Sequence, residues 1–334
     1  GNHEFDYRQQ GLADMLTAAK ESGDPLPAIV QANYTTPLEH DSGYAVAQAL
    51  EDYPVTDYTV IERDGVRVAV FGVLGEDADD CAPMSGMAFE PIADAAERVV
   101  AQIREKEAPD YIVCLSHSGT DGGKGEDYEL AKAVDGIDVI VSGHTHSTLA
   151  EPLVVNDTYI VSSGPYCQNL GSLTFSWDGS GEKRLLDYRL IPIDETVAEN
   201  PEIAGFVEQW KDMVGETYLA RYGLTYDEVL TRSDYDLNTP ASAVQENNGL
   251  GTLVSDAFLW ADRTLNAAYA DSPHTVSVTA DGVLRANLPA GDLTAAMAFD
   301  VLSMGVGEDG TSGFPLVAVY LTGKPRPGVG PQDI

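Results

Sequence analysis

At 334 residues and 43% hydrophobic content, the chain is long enough for two packed domains, since single cores rarely grow beyond about 250–300 residues. Its 54 acidic and 19 basic side chains give a formal net charge of -35, a field that repels polynucleotides and anionic membranes. A small phosphorylated ligand is repelled as well, so phosphate chemistry here requires local cations, either bound metal ions or a few placed arginines.

Taken in chain order, residues 8–20 read as an amphipathic helix with Leu12, Leu16 and Ala19 on one stripe. Apolar segments at 27–33 and 66–74 read as strands, and 91–107 as a second helix with Ala95, Val99 and Ile103 on one face. The runs at 110–117 and 138–146 are buried-strand patterns that stop in polar, His-bearing loops, with a short helix over 125–135 between them. Strands at 158–164 and 171–194 follow, the latter interrupted by an Asp-Gly-Ser-Gly turn at 178–181. A polar helix at 200–215, with Ile203, Phe206, Val207, Trp210 and Val214 on one side, reads as a linker. Beyond it come an amphipathic helix at 249–265, a strand-like segment at 275–288 and another at 316–323. No apolar run reaches the ~20 residues needed to span a bilayer. Cys81, Cys114 and Cys167 are too few and too scattered for a disulfide framework, and Cys114 and Cys167 read as small core residues.

Four of the six histidines fall in three motifs: His3 in GNHEFD, His117 in LSHSG, and His144 with His146 in GHTH. Two imidazoles spaced by two residues share one face of an extended segment, where they can reach adjacent metal ions. Strand ends suit such ligands because a rigid sheet fixes the loops that carry them. His40 and His274 lie in polar loops outside any motif and read as solvated surface residues, and Glu4 reads as structural.

GNHEFD, LSHSG and GHTH in this order, followed by the ENNGLGTLVSDA helix and the GVLRANLPAGDLT segment, resemble the metallophosphoesterase 5'-nucleotidase family, which includes UDP-sugar hydrolases and 2',3'-cyclic-nucleotide phosphodiesterases. The resemblance runs from Gly1 to about Gly323. It implies an α/β architecture: a layered αββα sandwich over 1–195, a linker helix region over 196–232, and a second α+β substrate-binding domain over 233–334.

The same resemblance implies two divalent metal ions, of zinc, manganese, cobalt or magnesium type, and hydrolysis of a nucleotide or small phosphate ester by a metal-bound hydroxide. Asn2, His117 and His144 would hold one ion and His146 its neighbour. His3 would stabilise the phosphate or protonate the leaving oxygen, with Asp6 orienting its imidazole. Arg285 matches the family's substrate-gripping arginine, and Met304 stands where members carry a base-stacking phenylalanine. Family members are commonly exported, so an extracytoplasmic location is expected, with no polynucleotide partner. Members also carry an Asp-x-His pair and a Gly-Asp pair ahead of GNHE. The chain opens on Gly1-Asn2-His3 and contains no Asp-x-His, so it reads as an N-terminally truncated fragment that is itself inactive. The competing reading is a non-catalytic surface or binding protein on the same scaffold, favoured by the absence of arginine from 240–248 and by the altered sequence at Ser303–Val306.

Overall fold

The computed structural model describes residues 1–36, 43–177, 183–239, 248–266, 275–307, 310–313 and 315–319. The chain starts with a single 3-10 turn, Asn2–Phe5, that leads into helix α1 (Arg8–Ser22). Phe5, Leu12 and Leu16 are buried in a small core with Tyr34, Val46 and Leu74, contributed by β1 (Tyr34–Thr35), α2 (Gly43–Asp52) and the end of the strand at Val66–Leu74. Phe5 packs edge-on against Tyr34 with ring centroids 5.3 Å apart. Burying such a side chain contributes roughly 1.5–3 kcal/mol, and here it anchors the turn that bears Asn2 and His3.

Strand β2 (Tyr58–Arg63) joins β3 (Val66–Leu74) through Asp64-Gly65, both at positive φ, as a tight two-residue hairpin turn requires. Then follow α3 (Glu76–Asp80), β4 (Ala88–Phe89), α4 (Ile92–Lys106), β5 (Tyr111–His117), α5 (Glu126–Ala133), β6 (Val139–Ser142), β7 (Leu153–Val155), β8 (Thr158–Val161), β9 (Asn169–Ser176) and β10 (Arg184–Pro192). The main sheet has the order β2-β3-β5-β6-β8-β7. Its four inner strands are parallel, and β2 and β7 pair antiparallel at the edges.

Strands as apolar as β3, whose one charged residue is Arg67, need cover on both faces. Val99, Ile103 and Leu130 of α4 and α5 cover one face, packing on Phe71, Cys114, Ile140 and Ile160. On the other, Phe175 of the β9–β10 ribbon meets Tyr111 at 5.6 Å and Tyr159 at 5.3 Å. The result is the expected α/β sandwich. Parallel strands place ligands outside their carboxyl ends, and there β3 and β5 end in register, Leu74 opposite His117.

Contacts divide the chain at Ala198/Glu199 into two units. The second contains α6 (Pro201–Thr217), β11 (Val229–Ser233), α7 (Gly249–Leu265), β12 (Gly291–Thr294) and α8 (Ala295–Val301). Its core gathers Leu250, Val254, Leu284, Leu288, Leu293 and Val301. Asn200 caps α6 by accepting from Glu202 and Ile203 N–H. Tyr218, just after α6, donates to Ser312 O at 2.7 Å and packs on Phe299.

Several sequence expectations change. Segment 27–33 is not a strand: Pro27 stands at its start, with Pro25 just before it, and its ladder is reduced to an isolated bridge from Val30 to Thr56. Segment 275–288 carries a 3-10 turn at Asp281–Val283 in place of a strand, because Asp281-Gly282 breaks its alternation. Residues 316–319 form no strand. Cys114 is buried as expected, whereas Cys167 is exposed. The turn at 178–181, His40, His274 and residues 320–323 lie outside the described residues.

Candidate active site

The site is built at the carboxyl ends of β3, β5 and β6. Asn2 is almost fully buried at 4% exposure, and its Oδ1 lies 2.9 Å from Nε2 of His117, the last residue of β5. The His117 ring sits 5.1 Å from that of His144. The structure therefore brings Asn2, His117 and His144 together. Burial, reinforced by the neighbouring His144, depresses the His117 pKa below its ordinary value. Its imidazole is neutral at physiological pH, the form that ligates a metal.

His3 follows Asn2 in the same turn, and its Nδ1 lies 3.1 and 3.2 Å from the two carboxylate oxygens of Asp6. The pair is solvent-facing, so the imidazole is available to an incoming group while its far nitrogen is oriented.

The GHTH segment departs from the expected extended geometry. β6 stops at Ser142, and His144 and His146 both take left-handed backbone, at φ 73 and 55. Such residues cost on the order of 1–3 kcal/mol each and persist only when their surroundings impose them. The imposing contacts are explicit. Gly143 N donates to Ser116 O at 2.8 Å, Thr145 Oγ1 donates to Thr120 O at 3.0 Å, and Ser147 Oγ donates to the same oxygen at 2.5 Å. The two imidazoles consequently do not share one face of a strand. His144 turns to His117 and Asp77, with Nε2 at 2.8 Å from Asp77 Oδ2, while His146 packs edge-on against Tyr166 at 5.3 Å.

Three groups absent from the sequence expectations hold this arrangement. Gly119 (φ 97) leaves no room for a Cβ, which would meet Thr145 at 2.3 Å. Asp127, fully buried, accepts from Ser116 Oγ at 2.5 Å and Gly119 N at 3.1 Å. Glu126 accepts from the N–H groups of Glu76 and Asp77, which positions Asp77. Gly119 is the last residue of LSHSG, whereas the sequence signal for Glu126 and Asp127 is the acidic start of an apolar-striped helix, which reads as ordinary N-terminal charge on a helix dipole.

Arg285 and Met304 belong to the second unit. Arg285 Nη1 donates to Gly282 O at 3.3 Å, and its N–H to Val301 O. Met304 is half-buried just beyond α8.

An amide oxygen and two imidazoles converging at a strand end form a donor set suited to a divalent ion of borderline hardness. The buried amide and the neutral His117 fit such an ion. Among the described residues, the group of three or more His, Cys, Asp or Glu donors within ligating range is Asp77, Cys81 and His144, and His146 is not part of it.

No family model matches the chain. It is 30% identical over 327 residues to the trifunctional nucleotide phosphoesterase protein YfkN of Bacillus subtilis, an alignment spanning 91% of this chain and 21% of that protein. It is 25% identical to an apyrase of Tabanus yao over 88% of this chain and 52% of that one. In structure it resembles the 5'-nucleotidase precursor of Thermus thermophilus, with a TM-score of 0.64 at 24% identity over 90% of this chain and 56% of that one. The chain thus spans about half or less of the length of these relatives. GNHEFD, LSHSG and GHTH thus meet at the carboxyl end of the main sheet, in a chain that is similar to the nucleotide phosphoesterase YfkN across nearly its whole length and to 5'-nucleotidases over part of it.

Proposed function

We propose that this chain is part of a metal-dependent phosphoesterase that hydrolyses nucleotides or related small phosphate esters. The observation that carries the reading is the buried Asn2 amide, 2.9 Å from His117 and in the same turn as the His3–Asp6 pair. A solvent-facing imidazole oriented by a carboxylate beside a buried amide is an arrangement suited to general acid chemistry on a phosphate ester.

Asn2, His117 and His144 would hold one divalent ion, and His146 would contribute to a second. When bound, such ions supply Lewis acidity toward phosphoryl oxygens and lower the pKa of water. The chain's own residues do the rest. His3 meets the substrate's phosphoryl or leaving oxygen, donating a hydrogen bond or a proton through Nε2 while Asp6 fixes Nδ1. The second unit, with Arg285 on the phosphate or ribose and Met304 against the base, is assigned to substrate recognition. His146 is the residue of this chain assigned to the second ion, and phosphate release is proposed of the whole protein to which the chain belongs. Among the described residues no helix is long and apolar enough to cross a membrane, and an extracytoplasmic location is part of the proposal.

The test is phosphate release by the longer protein that contains this chain, with manganese, zinc or cobalt added, from nucleotides, UDP-sugars and cyclic nucleotides. Release from at least one class is expected, and release from none of them removes the reading.

A further inference from the structure

The hydrolytic reading leaves a cluster beside His144 unused. Asp77 and Cys81 are four residues apart on α3 and its C-terminal cap, and Cys81 N–H donates to Asp77 O at 3.0 Å. That spacing raises both side chains on one face. His144 reaches them from the GHTH loop, and its Nε2 already lies 2.8 Å from Asp77 Oδ2. One carboxylate oxygen, the Cys81 sulfur and one imidazole nitrogen all lie within 4.8 Å of one another.

A tetrahedral zinc-type ion, with bonds of about 2.3 Å to sulfur and about 2.0–2.2 Å to nitrogen and oxygen, sets its donors roughly 3.3–3.6 Å apart. Closing this cluster on an ion therefore takes side-chain shifts on the order of 1 Å. Asp77 and Cys81 are exposed, so an ion has a path in and a water can take the fourth position. Glu126 holds the α3 N-terminus by accepting from Glu76 and Asp77 N–H, which fixes the backbone from which Asp77 projects.

We propose that Asp77, Cys81 and His144 form a thiolate-containing site for one borderline divalent cation such as zinc, distinct from the Asn2–His117–His144 set, and that filling it draws His144 away from that set. Ligation breaks the Cys81 S–H bond, sends the proton to solvent and forms a sulfur–metal bond with no redox change. Thiolate selects zinc, cadmium or cobalt over magnesium and manganese, so the two sites differ in the ions they prefer. The ligand set stands on the geometry alone. Only its consequence, loss of turnover when zinc is in excess, rests on the hydrolytic reading.

Cobalt(II) titrated into this chain tests it. A thiolate-to-cobalt charge-transfer band in the near ultraviolet is expected, lost in both Cys81→Ser and Cys81→Ala and retained in Cys167→Ser. Asp77→Asn is expected to weaken cobalt binding by at least about tenfold. Circular dichroism matching the parent chain certifies that each variant folds. Cobalt bound without that band, a band that survives loss of Cys81, or no cobalt bound at all overturns the site. The readout is spectroscopic, so its failure is separate from a failure of phosphate release by the longer protein.

Discussion

Asn2 Oδ1 and His117 Nε2 lie 2.9 Å apart across 115 positions of sequence. Two elements build that contact independently. The Phe5–Tyr34 packing seats the turn bearing Asn2, and the register of β5 with β3 sets where His117 leaves the sheet. An amide buried to this degree needs a partner, or it loses on the order of 1–3 kcal/mol in desolvation.

If these two groups share an ion, Asn2→Ala lowers the chain's affinity for manganese or zinc by at least about tenfold, and Asn2→Asp keeps it. Competition against a chelating dye measures both. Equal affinities for the parent chain and Asn2→Ala would remove Asn2 from the ligand set.

Gly119 is required twice over, by its φ of 97 and by Thr145 at 2.3 Å from an added Cβ. Left-handed backbone costs a non-glycine roughly 1–2 kcal/mol, and the overlap with Thr145 adds to it. Gly119→Ala is expected to destabilise the first unit by about 2 kcal/mol or more and to displace the GHTH loop. Urea denaturation reads the first effect; a midpoint within error of the parent chain would contradict it.

Asp127 gives a pH signature. Burial raises its carboxyl above the ordinary value even though Ser116 and Gly119 donate to it. The folded chain therefore holds this proton more tightly than the unfolded chain does. The contribution of Asp127 is fully present below the unfolded carboxylate range, at about pH 4, and is lost as pH rises through the raised folded value. Asp127→Asn cannot titrate, so the stability of the parent chain relative to this variant should fall as pH rises from about 3 to 7. A difference that grows over that range would mean that the ionised carboxylate is the stabilised form.

The sequence made legible whatever depends on local pattern. β3 and α7 fall where the apolar runs put them, at Val66–Leu74 and Gly249–Leu265, because burial on a sheet or helix face leaves a period in the residues. GNHEFD, LSHSG and GHTH could be read as chemistry because they occur together and in the order that the family resemblance rests on. The conformation of GHTH was not legible. The positive φ of His144 and His146 comes from hydrogen bonds to Ser116 and Thr120, residues some 25 positions away whose pairing has no local signature. Asp77 escaped for the same reason, since nothing near it in sequence signals that it meets His144. The strand expected at 275–288 failed because alternation alone does not supply a partner strand, and Val276 and Val278 are exposed.

The central claim is that His3, oriented by Asp6, acts on substrate beside metal ligands. It is tested most directly by measuring turnover and bound metal together in the longer protein and its His3→Ala variant. The account predicts that kcat falls by about 10²–10⁴-fold while metal content is unchanged. Turnover retained in the variant, or metal lost along with activity, would contradict it.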